Sequence, residues 1–183
     1  MWTRGVDRKI FNPGQKNPKL LGDQNKKQLI CVGRVSVEKN IEAFCELSKN
    51  PNYECWIIGN GPAFKILQKK WPKIHFVGYK KGKDLAEYYA SADLCVFPSK
   101  TDTFGITIIE SIASGTAVAG YPVMGPIDII TPHINGAIDE DLEIAANQAL
   151  KIDKKSISET IDKYSWHNCA DIFLKNLERI KHV

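Results

Sequence analysis

Two hydrophobic patterns alternate along the chain. Five short apolar runs, rich in β-branched, aromatic and thiol side chains, have the length and composition of buried strands. They are Leu29–Val32, Glu54–Ile58, Ile74–Val77, Leu94–Phe97 and Ala117–Ala119. Between these runs, apolar residues recur at helical spacing in Ile41–Ser48, Phe64–Trp71, Leu85–Ala90 and Ile106–Ser114. Because strands and helices alternate, we predict an α/β fold in which a parallel sheet carries helices on both faces.

The two ends of the chain lack this alternation. Residues 1–27 are polar and are interrupted by Pro13, Gly14 and Pro18, so we predict an extended lead-in before a domain at 28–164. After Gly136 the pattern becomes helical, and the predicted helices are Asp141–Leu150, Lys154–Tyr164 and Trp166–Ile180. The last of them lies in a closing segment, 165–183, and has Ala170, Phe173, Leu174 and Leu177 on one face.

Composition and charge limit the class of protein. Of the 183 residues, 43% are hydrophobic and 25% charged, which is typical of one globular domain and excludes a low-complexity chain. No apolar run approaches the ~18–20 residues of a membrane helix. The first residues do not have the pattern of a secretory signal peptide, and we expect none. A net charge of +4 does not require nucleic acid as a partner.

The cysteines favour a reducing compartment. Their number is odd, no two form a Cys-x-x-Cys pair, and none has zinc-ligand spacing with a histidine. We therefore expect reduced thiols and a cytoplasmic location.

Lysines are concentrated between residues 65 and 83. The seven are Lys65, Lys69, Lys70, Lys73, Lys80, Lys81 and Lys83. Two interpretations remain open: a solvated surface, or a patch that binds anionic lipid or phosphate.

Candidate chemistry lies in the loops that follow the strands, where ligands bind in parallel sheets. In the first loop, Gly33 lets a ligand approach the backbone, while Arg34 and Lys39 could neutralise a diphosphate. The alternative is that both cations are simply solvated. The loop is neither a P-loop nor a G-x-G-x-x-G turn.

Two further loops contain glycine at a strand end. Gly59-Asn60-Gly61-Pro62 follows the second strand and opens a helix, so it is either part of a site or a structural turn. Gly78, after the third strand, could admit a flat ring against the backbone or could serve only as a bend.

The fourth loop, residues 98–110, carries the strongest signal. A helix is expected to begin near Gly105, and its free backbone N–H groups would attract an anion. Asp102 lies just before this helix and Glu110 in its second turn, beside apolar positions where a carboxylate needs a polar partner. Ribose hydroxyls would fit that role. The alternative is a helix-capping aspartate and a surface glutamate.

Two other signals are weak. The acidic triplet 139–141 could hold a metal, but it precedes an amphipathic helix, where acidic residues favour the helix dipole. The four histidines are scattered and no Ser or Cys nucleophile has an evident His partner, so a hydrolytic triad gains no support.

Together these motifs resemble the C-terminal, donor-binding half of the retaining glycosyltransferases of family GT4. Those enzymes have the GT-B fold of two Rossmann-like domains. The resemblance runs nearly end to end. The matching segments are Arg4–Asp7, Val32–Arg34 with Glu38–Asn40, Gly59–Pro62, Ser91–Asp93, Phe97–Ser99, Glu110–Val118 and Tyr164–Trp166.

The resemblance implies roles for individual residues. Arg34 and Lys39 match the cations that hold the donor diphosphate, and Asp102 and Glu110 match the two acids of the family's E-x7-E motif. These four are the expected catalytic residues. The donor-binding set contains the same four together with Gly33, Val77, Gly78, Tyr79, Leu85, Phe104, Gly105 and Ile106.

The sequence also departs from the family pattern. Asp102 is one methylene shorter than the usual glutamate, which could change the sugar accepted. Ala117 stands where proline is common, and residues 121–128 replace a glycine-rich stretch. The N-terminal domain, which holds the acceptor site, has no counterpart in these 183 residues, so we expect little activity from this chain alone.

The expected reaction is transfer of a sugar from a UDP- or GDP-sugar to an acceptor hydroxyl, with retention and without metal or other cofactor. Expected partners are that donor and the N-terminal acceptor-binding domain. The full enzyme could also make peripheral contact with a membrane. Nucleic acid is not expected as a partner. The setting would be bacterial polysaccharide or glycolipid biosynthesis. Alternatives are a non-catalytic nucleotide-sugar-binding module or subunit, a nucleotide-sugar epimerase, which the spacing of the two acids disfavours, and a generic nucleotide-binding domain.

Overall fold

A six-stranded parallel sheet forms the centre of the molecule. The computed structural model describes residues 4–177, and the strands lie in the order β3-β2-β1-β4-β5-β6. The strands are β1 Lys27–Val32, β2 Tyr53–Ile58, β3 His75–Gly78, β4 Leu94–Phe97, β5 Val118–Gly120 and β6 Gly136–Ile138. The helices are α1 Ile41–Glu46, α2 Phe64–Lys70, α3 Gly82–Ser91, α4 Ile106–Ala113, α5 Pro126–Ile129, α6 Leu142–Ala149 and α7 Trp166–Lys175.

Helices cover both faces of the sheet. Right-handed crossovers place α1 and α2 on one face and α3 and α4 on the other. On the first face, α6 packs on β4–β6 and its Asn147 accepts a hydrogen bond from the Tyr53 hydroxyl at 2.6 Å. Leu29 and Ile30 of β1, Leu94 of β4 and Ile108, Ile109 and Ile112 of α4 are fully buried between these layers. The α/β fold with a parallel sheet and helices on both faces is therefore confirmed.

Several predicted elements differ from the observed ones. Strand β6 and helix α5 were not predicted; they have only three and four residues and contain glycine or proline. Lys154–Tyr164 is helical within the predicted bounds, but the helix is of the 3-10 type and packs on α4. The final helix ends at Lys175, and positions 178–180 of the prediction lie outside the described residues. Its predicted apolar face exists, but Phe173, Leu174 and Leu177 are exposed.

The lead-in is folded onto the domain rather than simply extended. It contains a 3-10 helix, Pro13–Gln15, which packs against α3. Val6 pairs with Ser165 at the start of α7, and the Val6 N–H donates to the Tyr164 carbonyl at 2.9 Å. The N-terminal segment and the start of α7 therefore lie side by side.

The order of the strands reverses between β1 and β4. From β1 the chain builds the sheet outward to β3, and then crosses back to add β4, β5 and β6 on the other side of β1. Loops that leave adjacent strands on either side of such a reversal separate and open a crevice. The first and fourth loops of the sequence analysis leave these two strands.

Two properties of the described residues bear on the setting of the protein. No helix within residues 4–177 is long and apolar enough to cross a bilayer. Cys31, Cys45, Cys55 and Cys95 are free thiols, and all five cysteines are buried.

Candidate functional site

A cleft of about 400 Å³ lies where the loops after β1 and β4 face each other. It is lined by Arg4, Cys31, Val32, Gly33, Arg34, Lys39, Ile41, Phe97, Pro98, Ser99, Asp102, Thr103, Phe104, Gly105, Ile106 and Thr107. The two loops are tied together at the cleft, since the Asn40 side chain donates to the Pro98 carbonyl at 3.1 Å. This is the crevice that the reversal of strand order creates.

Glycines of the second loop hold the first loop in place. A Cβ on Gly59 would lie 1.8 Å from the Gly33 carbonyl oxygen, and one on Gly61 would lie 2.3 Å from the Val35 carbonyl oxygen. The Val35 N–H also donates to the Asn60 carbonyl at 3.0 Å. The second loop therefore has a structural role, which is to support the first loop.

Gly33 has a different role from these two glycines. Its φ of +149° is unfavourable for other residues, and nothing lies within 4 Å of a Cβ placed there. The backbone at the end of β1 is thus bare on the side of the cleft, and a ligand can approach it closely.

The two cations of the first loop lie in different surroundings. Lys39 Nζ is 2.5 Å from Asp102 Oδ1, and both side chains are about one-quarter exposed. Arg34 is two-thirds exposed, and its Nη1 lies 4.0 Å from Glu38 Oε1. For Lys39, the interpretation as a simply solvated cation is wrong, whereas Arg34 is free to reach a ligand in the cleft.

The N-terminus of α4 points its free amides at the same cleft. Gly105 precedes the helix with φ +86°, and no side chain caps the helix. The first N–H groups of a helix have no partner within it, so those of Ile106 and Thr107 are available to an anion. Asp102 binds Lys39 instead of capping α4, so the interpretation as a helix-capping aspartate is wrong.

A second cavity, of about 760 Å³, continues from the first and shares Val32, Gly33, Arg34 and Thr107 with it. Its other lining residues are Ile10, Phe11, Ile58, Gly59, Asn60, Tyr79, Lys80, Lys81, Gly82, Leu85 and Glu110. The combined volume has an anion-attracting end beside α4 and a largely apolar end beside β2 and β3.

Glu110 stands in this second cavity as a partly buried carboxylate. The hydroxyl of Tyr89, on α3, donates a hydrogen bond to Glu110 Oε2 at 3.0 Å. Burial raises the pKa of the Glu110 carboxyl to about 7, and the hydrogen bond from Tyr89 opposes that rise. Because Glu110 is neither solvated nor remote from the cleft, the interpretation as a surface glutamate is wrong.

The structure separates the remaining predicted residues into two groups. Tyr79 and Leu85 line the second cavity, and Phe104, Gly105 and Ile106 line the first. Val77 and Gly78 line neither; Gly78 lies behind the cavity wall, where its carbonyl accepts from the Gly59 N–H at 2.9 Å. Their predicted contact with a base remains a prediction.

Sequence reasoning missed several residues of the site. Tyr89 is fully buried under Glu110, and Arg4, Ser99, Thr103 and Thr107 line the first cleft. Thr107 follows the helix start and could have been found from its position. Arg4 belonged to a matching segment, yet only the folding of the lead-in onto the domain brings it to the cleft.

The acidic triplet serves the helix that follows it. The Asp141 carboxylate accepts from the backbone N–H groups of Glu143 and Ile144, at 2.8 and 3.2 Å, and so caps α6. Across residues 4–177, no three His, Cys, Asp or Glu side chains are arranged to hold a metal ion.

Fold and site together define a Rossmann-like α/β domain with a cleft that suits an anion. Residues 14–159 match the family described as glycosyl transferases group 1, and the chain belongs to this family. The GDP-mannose-dependent alpha-mannosyltransferase of Corynebacterium glutamicum is 39% identical over 141 residues, which cover 75% of this chain and 34% of that protein. The chain spans about a third of the length of such curated relatives.

Two solved structures share the fold. Sucrose-phosphate synthase from Thermosynechococcus elongatus matches with a TM-score of 0.79 and 23% identity, over 94% of this chain and 50% of that one. The Anabaena protein HepE, in complex with UDP-glucose, matches with a TM-score of 0.76 and 16% identity, over 93% and 55%.

Proposed function

We propose that this chain is the C-terminal, donor-binding half of a retaining glycosyltransferase that takes its sugar from a nucleoside diphosphate. One observation carries the proposal: Gly33, Arg34, Lys39 and the open N-terminus of α4 converge on one cleft at the reversal of the sheet. Bare backbone, two cations and a helix N-terminus form a site suited to a pyrophosphate.

The same groups would stabilise the departing nucleotide. As the bond to the sugar breaks, negative charge grows on the terminal phosphate. Arg34, Lys39 and the amides of α4 are already in place where that charge develops, which is the most effective use of such groups in catalysis. We propose that they carry the charge that a divalent metal carries in other transferases.

The continuation of the cleft would hold the rest of the donor. Glu110 would accept hydrogen bonds from the ribose, while Tyr79 and Leu85 would border the base. Asp102 would contact the sugar once Lys39 turns to the phosphates. UDP- and GDP-sugars are both candidates, because one relative is named for GDP-mannose and HepE is solved with UDP-glucose.

We further propose that the acceptor is bound by a separate N-terminal domain, and that this chain alone transfers little sugar. The domain would then comprise residues 28–164, preceded by a lead-in at 1–27 and followed by a closing segment at 165–183. The alternative is a binding subunit that acts with a separate acceptor-binding chain. If this chain transferred sugar when fused to an N-terminal acceptor-binding domain, the two-domain enzyme would be favoured over the separate subunit.

The setting we propose is cytosolic, with peripheral contact to an anionic membrane. Four buried free thiols, Cys31, Cys45, Cys55 and Cys95, suit a reducing compartment. Of the net charge of +4, residues 65–83 contribute +7 from seven lysines and no acid, so the remaining residues sum to −3. Six of these lysines are exposed, all but Lys80, and Ile66 is exposed beside Lys65, Lys69 and Lys70.

A thermal-shift titration tests the proposed function. We expect UDP or GDP compounds, at concentrations up to millimolar, to raise the melting temperature, because a ligand that binds only the folded state stabilises it by mass action. The shift should be the same with magnesium and with EDTA. Absence of a shift with UDP, GDP, ADP and their sugars would contradict donor binding; a shift that requires magnesium would contradict metal independence.

A further inference from the structure

Tyr89 is a buried polar side chain beside the proposed donor site that has no role so far. It lies on α3 with no exposed surface, and its hydroxyl donates to Glu110 Oε2. The ring of Phe11, which lines the second cavity, packs edge-on against the Tyr89 ring at 6.0 Å. A buried hydroxyl that donates to a carboxylate on the wall of a cavity indicates a role in binding the ligand of that cavity.

The backbone of Tyr89 is fixed to the same helix that carries Glu110. Thr116, just beyond the end of α4, donates its hydroxyl hydrogen to the Tyr89 carbonyl at 2.6 Å. Thr116 is itself held, because its carbonyl accepts from the Ser111 hydroxyl at 2.9 Å. The tyrosine and the glutamate are thus joined at two points, and their relative position is fixed.

One carboxylate oxygen of Glu110 remains available. Oε2 accepts from Tyr89, whereas Oε1 has no hydrogen-bond partner among residues 4–177. A carboxylate with one oxygen fixed and one free toward a cavity can accept hydrogen bonds from a ligand diol at low entropic cost.

We propose that Tyr89 is a positioning residue for ribose recognition: its hydroxyl orients Glu110 and favours the ionised carboxylate, whose free oxygen accepts from the ribose hydroxyls. This inference rests on the proposed function. It adds a residue that does not touch the donor and that makes recognition of the ribose dependent on pH.

The charged and titratable groups around Glu110 come from five parts of the fold. They are Cys31 on β1, Arg34 in the first loop, Tyr79, Lys80 and Lys81 between β3 and α3, Tyr89 on α3 and Cys95 on β4. The cations in this set favour the carboxylate. Both thiols are buried, and burial raises the pKa of each, so they stay neutral near pH 7.

The experiment compares Tyr89→Phe with wild type in two measurements on the full chain. In the first, 13C NMR follows the titration of the Glu110 carboxyl. Loss of a hydrogen bond to an ionised group should raise its midpoint by about one to two pH units. In the second, calorimetry measures binding of UDP and GDP and of their 2′,3′-dideoxy analogues between pH 6 and 8.5. The analogues carry the same phosphates, so they correct for phosphate titration.

For Tyr89→Phe at pH 7.5 we expect affinity for the ribose nucleotide to fall about five- to tenfold, because fewer molecules carry the ionised carboxylate. Affinity for the dideoxy analogue should stay unchanged. Tyr88→Phe is the matched control, since Tyr88 neighbours Tyr89 on α3 and its hydroxyl makes no hydrogen bond within residues 4–177. In a Glu110→Gln background, Tyr89→Phe should no longer affect the preference for ribose over the dideoxy analogue.

The outcomes separate the two proposals. Wild-type binding of nucleotide, combined with an unchanged Glu110 midpoint and unchanged ribose preference in Tyr89→Phe, would overturn the role of Tyr89 alone. An equal loss for both ligands would also overturn it, because it would mark a general structural effect. If wild type bound neither nucleotide at any pH, the proposed function would fail and this inference with it.

Discussion

Lys39 and Asp102 neutralise each other in the cleft, although each is expected to bind a different part of the donor. Their ion pair joins loops that are 63 positions apart in sequence. A bound diphosphate would compete with Asp102 for Lys39 and release the aspartate toward the sugar. The pair therefore keeps both side chains at the cleft before the donor arrives.

Lys39→Ala should weaken binding of UDP or GDP by about 10- to 100-fold, the usual range for a lost hydrogen bond to a charged group. In the complete two-domain enzyme, turnover should fall by an amount equivalent to about 2–4 kcal/mol. Calorimetry on this chain measures the first effect. Lys151→Ala, a lysine at the end of α6, is the control and should leave affinity unchanged. Equal affinities of wild type and Lys39→Ala would remove Lys39 from the site.

Glu110 is placed at a cost to the unliganded fold. Burial raises its pKa to about 7 in the folded state, against 4.5 for the ordinary group. The folded state therefore holds this proton more tightly than the unfolded state, and the free energy of unfolding falls as pH rises between these two values. The loss amounts to about 3 kcal/mol above pH 7.

Glu110→Gln should therefore stabilise the empty domain at pH 8, by up to about 3 kcal/mol, because it removes the buried charge and keeps an oxygen for Tyr89. The gain should shrink as pH falls toward 4.5. Urea unfolding at pH 8, 6.5 and 5 measures it. A variant that is less stable than wild type at pH 8 would contradict the conclusion that the ionised Glu110 carboxylate destabilises the fold.

The sequence predicted these side chains but not their partners. Glu110 was identified because a carboxylate beside an apolar stripe needs a polar contact. Tyr89 was not, since its place under Glu110 depends on how α3 packs against α4. The ion pair of Lys39 likewise depends on the strand order, which hydrophobic spacing does not encode.

Loops and helix ends position the site. The backbones of the first and second loops approach each other more closely than a side chain between them would allow. The second loop touches the backbone of the first at Gly59 and Gly61. The spacing of the glycines was visible in the sequence, but whether they face a ligand or another loop was not. The structure shows that they face the first loop.

Gly61→Ala should destabilise the domain by about 1–3 kcal/mol, as other forced contacts in packed regions do. Its Cβ would lie 2.3 Å from the Val35 carbonyl oxygen, so the first loop must shift and affinity for the nucleotide should fall as well. Chemical denaturation and calorimetry measure the two effects. Gly14→Ala is the control, because its Cβ would meet only the flexible Asn12 side chain. Full stability and affinity in Gly61→Ala would show that the second loop does not support the first.

Most strands and helices could be predicted from the sequence, whereas β6 and the type of the helix Lys154–Tyr164 could not. The strands β1–β5 and helices α1–α4 were found within a few residues, since each has a clear hydrophobic period. Strand β6 is no shorter than the predicted strand β5, but it opens with Gly136, and glycine is depleted in strands. Lys154–Tyr164 has helical spacing, yet it forms a 3-10 helix where it packs on α4.

Across the chain as a whole, positive charge is concentrated in residues 65–83, which contribute +7, whereas the remaining residues sum to −3. If residues 65–83 contact an anionic membrane, each lysine near the surface contributes about 1 kcal/mol. We expect the chain to co-sediment with phosphatidylserine vesicles at low salt and to be released at high salt. Changing Lys65, Lys69, Lys73 and Lys83 to Gln should abolish this binding.

The matched control changes Lys9, Lys19, Lys151 and Lys155 to Gln, which alters the net charge by the same amount elsewhere. It should still bind the vesicles. If both quadruple variants bound equally, the lysines of 65–83 would be a solvated surface, the other interpretation that the sequence left open.

The most direct test asks where a nucleoside diphosphate binds. In a 15N NMR titration of the assigned chain with UDP and GDP, we predict saturable shifts of the amides of Gly33, Arg34, Gly105 and Ile106. UMP and GMP, which lack the second phosphate, should bind much more weakly at the same residues. Shifts confined to residues 65–83, or equal affinity for mono- and diphosphates, would contradict a pyrophosphate site between the loops after β1 and β4.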